Sequence, residues 1–263
     1  MTNPVRFCRY RSLNGQSGDW VRDSILHGKH YFASPLSFND PLDCRPNFVL
    51  NGSKAQLQKY YEGLVARHMP ELGREARRAE ARRRVSDPEF DPRLPKNIIG
   101  FRQMYHETVT AHVGVMCLSE VHDDILMWAH YGDSHHGVCL VFDPTEPLFA
   151  TAQPVHYKSI RPVVNPLVNS REEMLDAAMF TKSDHWAYEK EWRMLQYKRG
   201  AGLYTVPDAA LVQVVLGSQV EDADRQRVLA WASESARGVA VTQATLSSTK
   251  FAVEVPSAWH KDA

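Results

Sequence analysis

The chain has 263 residues, 43% of them hydrophobic and 24% charged, which is enough apolar material for one large domain or two small ones and too much for a disordered tail. Lysine plus arginine count 31 and aspartate plus glutamate count 31, so no global field is directed at nucleic acid, a membrane or an acidic partner, and any charged site is local. Cys8, Cys44, Cys117 and Cys139 show no metal-knuckle spacing and read as buried, reduced thiols. The MTNPVRFCRY start lacks a secretory pattern, and no apolar run approaches the roughly 18 residues of a membrane span. These features lead to the expectation of a cytoplasmic protein without membrane contact.

In chain order, VRFCRYRS (5–12) predicts a strand, GDWVRDSILHGK (18–29) a short helix and HYFASPLSF (30–38) a second strand closed by the turn FNDP. From Ser53 to about Val85 the pattern is helical and heavily charged, and the three prolines of SDPEFDPRLPKN break it. A further helix is expected at 98–110, then the strand HVGVMCLSE (112–120), the helix DDILMWAHYG (123–132) and the strand GVCLVFD (137–143). PVHYKS (154–159) precedes a helix around 171–188 that leads into an EKEWRMLQY strand. Strands at 211–216, 239–246 and 250–255 surround a helix at 221–236. The fold class expected is α+β (mixed α/β), a single domain over 1–263 with a charged helical insertion at about 53–110.

In WAYEKEWRML, Glu189 and Glu191 stand two apart, so an extended backbone turns both carboxylates to one side. Two readings stand: a strand entering a sheet with a solvated end, or a carboxylate pair that holds a ribose and stabilises an oxocarbenium-like transition state. Arg9 and Arg11 share one face of the first strand; guanidinium forks suit phosphate, and a surface strand carrying two arginines is also common. Ser34, Asn39 and Asp40 lie in a stretch that suits a structural turn. Trp128 and Tyr131 are three apart on one helical face, as core aromatics are, and His130, His135 and His136 lack metal-ligand spacing. Arg74, Arg77, Arg78, Arg82, Arg83 and Arg84 stand among only Glu75 and Glu80, which fits either a helix laced with ion pairs or contact with nucleic-acid phosphates.

Taken together, RYRS, YFASPLSFNDPLDC, CLSEVHDDILMWAHYGDSHHGVCLVFD and HWAYEKEWR, from about residue 7 to 217, resemble a bacterial family known as domain of unknown function 2971. A more remote resemblance is to ADP-ribosyltransferases, in which one strand offers Arg or His to NAD, the next a Ser, Thr or Tyr, and a later strand a Glu-x-Glu element. Here that order is Arg9 or Arg11, then Ser34, then Glu189-Lys190-Glu191, although the Ser-Thr-Ser form of the second motif is absent.

That resemblance implies a split β-sheet core, NAD as co-substrate and no metal. It implies Glu191 on the nicotinamide ribose, Glu189 positioning the acceptor, and Arg9 or Arg11 with Ser34 holding pyrophosphate and ribose. Tyr31, Phe38, Trp128 and Tyr131 supply an aromatic wall for nicotinamide, and Asn39, Asp40 and Arg193 lie on the substrate side; Arg193 either binds the acceptor or locks Asp40 or Asp43. The implied activity is mono-ADP-ribosyl transfer to RNA, DNA or protein, with a toxin of a toxin–antitoxin or anti-phage system, and hence an antitoxin partner, as the setting. A nucleotide-binding module without catalysis and an NAD glycohydrolase are the rival readings.

Overall fold

The β-branched and apolar residues of VCLVF and LVQVVL favour pleated backbone, and both form central strands of a mixed α+β fold. In this computed structural model residues 4–91, 94, 97–99, 102–103, 112–197, 199–205 and 210–256 are described. Two compact units result, one from 1–37, 112–155 and 185–263, the other from 38–111 and 156–184.

The first unit is built on a seven-stranded sheet. Its strands run in the order Ala240–Gln243, Leu211–Leu216, Val138–Phe142, Phe7–Arg11, Gly114–Ser119, Glu191–Gln196 and Gln153–Pro154. Only the first of these pairings is parallel. The Phe7–Arg11 strand pairs with Val138–Phe142 over its whole length, but with Gly114–Ser119 only at Cys8 and Ser119. Beyond that point the two strands part, and Ala33 takes the freed edge, exchanging two 2.8 Å backbone hydrogen bonds with Val115.

Each face of the sheet carries its own apolar cluster. Phe7, Met116, Leu118, Leu140, Phe142, Trp192 and Met194 pack on one side with Val21 and Ile25 of the helix Gly15–His27. Cys8, Tyr10, Cys139, Val141 and Val215 pack on the other with Met127 and Trp128 of the helix Ile125–Tyr131. Full burial of side chains of this size stabilises by roughly 1.5–3 kcal/mol each. Gly217 is required by packing, since a Cβ there would stand 2.0 Å from the carbonyl oxygen of His135.

In the second unit the helical stretch expected from Ser53 to about Val85 is two helices, Lys54–His68 and Arg74–Ser86, because Pro70 interrupts it. A capping box between Ser53 and Gln56 starts the first. Leu57, Tyr61, Ala81 and Leu167 form the core shared by the pair. Short parallel ladders join Asn47–Phe48 to Val163–Val164 and His156–Lys158 to Thr181–Ser183. A buried ion pair, Lys182 with Asp43 at 3.8 Å, lies within the same unit.

Several boundaries differ from expectation. The helix expected around 171–188 ends at Met179, because Thr181–Ser183 is drawn into pairing with His156–Lys158. The following residues, Asp184–Glu189, form a 3-10 turn. The strand expected over EKEWRMLQY begins only at Glu191, since Lys190 has φ +43° and breaks the extended backbone. The helix expected at 98–110 lies for the most part outside the described residues. Cys8, Cys44 and Cys139 are buried thiols that form no disulfide, whereas Cys117 is partly exposed. Among the described residues no helix is long and apolar enough to cross a membrane.

Candidate functional site

The two motifs MWAHY and EKEWR meet in the first unit. Asp124 caps the helix Ile125–Tyr131 by accepting from the Met127 N–H at 2.9 Å, which satisfies one of the orphan donors of a helix start. That orientation buries Trp128, whose indole N–H donates to the His122 carbonyl at 2.9 Å, edge-on to Tyr10 and stacked on His135. One helical turn on, the Tyr131 hydroxyl donates to Glu189 Oε1 at 2.6 Å.

Glu189 and Glu191 are not successive same-face positions of one strand. Glu189 closes the 3-10 turn, Lys190 is left-handed and Glu191 opens the strand. Neither end is solvated, because Glu189 is 3% and Glu191 5% exposed. The Ser119 hydroxyl donates to the Glu189 carbonyl at 2.6 Å, and the Glu120 N–H donates to the Lys190 carbonyl, tying the reversal to the neighbouring strand. Arg193, two residues along the same strand face and wholly buried, grips Glu191 with a fork, Nε to Oε1 at 2.7 Å and Nη2 to Oε2 at 3.0 Å. Within the unit the carboxylate that Arg193 holds is thus Glu191, a partner that the sequence reading did not name. Trp192 points the other way, against Phe7, with its N–H on Glu120.

A second cluster gathers around the first strand. Arg9 is 6% exposed and donates to the Tyr31 carbonyl. Arg11 sits 5.7 Å over the Trp20 ring, and Trp20 stacks on Tyr31 at 3.8 Å with the planes 4° apart. Neither arginine has a carboxylate partner among the described residues. Burial, and then the neighbouring Arg11, hold Arg9 well below the usual arginine range, and burial lowers Arg11 to about 10. His30, which shares a 3.0 Å hydrogen bond with the Ser24 hydroxyl, is pushed down to about 3 by burial and then by Arg9, Arg237 and Arg11. Buried positive charge with no anion is costly, so this cluster favours an anionic ligand.

The register separates the two clusters by face. Glu191 pairs with Ser119 and Ser119 with Cys8, which puts all three side chains on one face. Alternation along the first strand sends Arg9 and Arg11 to the other, with Phe7. The sheet therefore brings Tyr131 to Glu189 and Arg193 to Glu191, but not Arg9 or Arg11 to the glutamate face. Ser34 is occupied in a turn, its hydroxyl accepting from the Leu36 N–H at 3.2 Å. Trp128, expected to stack on nicotinamide, has its ring buried in the core because the helix face that carries it is the packed one. Phe38, Asn39 and Asp40 belong to the second unit, where the Asp40 carboxylate accepts from the Leu42 N–H at 2.8 Å.

Sequence reasoning missed Trp20, Ser119 and the Ser24–His30 pair. Trp20, in an amphipathic helix near two arginines, carried the only usable signal. Nothing in the sequence announces Lys190, since a left-handed lysine has no glycine-like mark. Among the described residues no group of three His, Cys, Asp or Glu side chains is placed to hold a metal ion.

Polar side chains locked by partners inside a mixed sheet define the class of protein here, an α+β domain with a buried carboxylate centre. Residues 127–194 match the model of a family described as "Protein of unknown function (DUF2971)", which bears out the resemblance to that family. The match opens at Met127 and closes at Met194, so it encloses both the Tyr131–Glu189 and the Glu191–Arg193 contacts. No curated protein and no solved structure matches the chain.

Proposed function

We propose that the chain is a cytoplasmic, NAD-dependent mono-ADP-ribosyltransferase that modifies a macromolecule, and that its setting is a toxin–antitoxin or anti-phage system. The observation that carries this reading is the arginine cluster: Arg9, nearly buried, and Arg11 beside it have no carboxylate partner among the described residues and adjoin the Trp20–Tyr31 stack. A ligand that joins phosphates to flat rings, as NAD does, fits both features. In this reading Arg9 and Arg11 hold the pyrophosphate, and Tyr31 and Trp20 offer the aromatic surface.

Glu191 then has an electrostatic task. Breaking the bond between nicotinamide and C1 of the ribose leaves positive charge at C1, and a fixed carboxylate stabilises it without reorganising. Arg193 pre-orients Glu191, and Tyr131 pre-orients Glu189, which positions the acceptor. The acceptor atom forms the new bond to C1 and its proton passes to solvent.

Purified protein incubated with labelled NAD and separate pools of RNA, DNA and protein tests this, with Glu191→Gln alongside at matched folded concentration. Label on one pool, absent with the variant, supports transfer. Nicotinamide release with free ADP-ribose and no labelled pool makes the chain a glycohydrolase. A binding module without catalysis is the second reading, favoured by the placement of Arg9 and Arg11 on the sheet face opposite Glu191. Neither label nor nicotinamide release would leave that reading standing.

A further inference from the structure

We infer that the outer edge of the helix Arg74–Ser86 in the second unit is a docking surface for the phosphodiester backbone of nucleic acid. The inference goes beyond the transferase reading and holds whether or not NAD is consumed.

The structure sorts the six arginines of this helix into two groups. Glu80 accepts from Arg83 at 2.8 and 2.9 Å and from Arg84 at 2.8 Å, and both guanidinium groups lie over the Phe90 ring at 5.4 and 5.5 Å. Arg77 donates to the Pro70 carbonyl at 2.6 Å, tying down the turn before the helix. Three arginines are therefore used by the fold.

The other three are not. Arg74, Arg78 and Arg82 are exposed, and none has an ion pair or side-chain hydrogen bond among the described residues. Their spacing of four puts them in one row beside the buried Ala81, with successive members about 6 Å apart along the axis. Successive phosphates of a nucleic-acid strand have a similar separation.

Two acidic residues border the row. Glu75 is in the first turn, and Glu62 of the preceding helix is engaged by Gln58 at 2.9 Å. Neither forms an ion pair with the row among the described residues. Like charges at this spacing weaken a helix by roughly 0.2–0.5 kcal/mol per pair. The row therefore serves no structural purpose of its own. A polyanion of regular charge spacing answers it, and an arginine row without base-reading geometry points to backbone contact without sequence choice.

The test is fluorescence anisotropy of the full chain with labelled single-stranded RNA, single-stranded DNA and duplex DNA of equal length over a salt series, beside polyglutamate. The triple variant Arg74→Gln/Arg78→Gln/Arg82→Gln keeps helix propensity, and Arg83→Gln, which removes one charge outside the row, serves as a single-site control; circular dichroism checks that both are folded. Binding is expected for the wild type, with a log–log salt slope that the triple variant makes shallower by roughly two. Arg83→Gln should change it by less than one. The tightest of the three nucleic acids identifies the partner. The inference is overturned by no binding at low salt, by an unchanged slope in the folded triple variant, or by polyglutamate binding as well as every nucleic acid.

Discussion

The Tyr131 hydroxyl and the Glu189 carboxylate, 58 residues apart in sequence, are joined by a 2.6 Å hydrogen bond that links the MWAHY and EKEWR motifs of one unit. The bond places a buried acid at the tip of a short helix and makes its geometry depend on that helix.

Tyr131→Phe keeps the ring and removes this donor. A buried acceptor that loses a partner costs about 1–3 kcal/mol, so the urea midpoint should fall with the m-value unchanged. The same variant should lower transfer more than NAD affinity. An unaltered midpoint would show that the bond contributes nothing.

Arg193→Met leaves Glu191 buried without its fork, and breaking such a pair from one side costs roughly 3–5 kcal/mol. Adding Glu191→Gln to that variant should restore part of the loss. A double-mutant cycle measures the coupling, and strictly additive effects of the two changes would exclude a cooperative pair.

His30 should make the fold acid-sensitive. Its folded value is lowered to about 3 from an ordinary 6.5, so between those values the unfolded chain binds more protons than the folded one. Stability is then fully present above pH 6.5 and falls as pH drops, with a limiting slope of about 1.4 kcal/mol per pH unit. His122 and His135, also lowered chiefly by burial, act in the same direction. His30→Gln should flatten the stability profile between about pH 6 and pH 4; an identical profile would argue that His30 is not neutral in the folded state.

Pyrophosphate and ADP-ribose should raise the melting temperature of the wild type and not of Arg9→Gln. At 100 times its dissociation constant a ligand stabilises by about 2.7 kcal/mol. Without ligand, Arg9→Gln should be no less stable than the wild type by more than about 1 kcal/mol, the scale of one hydrogen bond, because it also removes an unneutralised buried charge. Equal ligand shifts in the two proteins would place the anion elsewhere.

By itself the sequence determined the element types wherever periodicity was strong: the strands around Cys8, Cys117, Leu140 and Val214, the helices around Trp128 and Val228, and the motifs that carry the family resemblance. Apolar alternation and helical spacing are local properties, which is why these could be read in advance. It could not determine that Glu189 and Glu191 are separated by a left-handed Lys190, since no residue type there demands that conformation. Nor could it sort the arginines, placing Arg193 on Glu191, Arg83 and Arg84 on Glu80, and leaving Arg9 and Arg11 without a carboxylate among the described residues. Those outcomes depend on which distant strands and helices become neighbours. The face on which Arg9 lies relative to Glu191 was decided by the Cys8–Ser119 and Ser119–Glu191 registers, because a shift of one residue in either would have sent it to the other side.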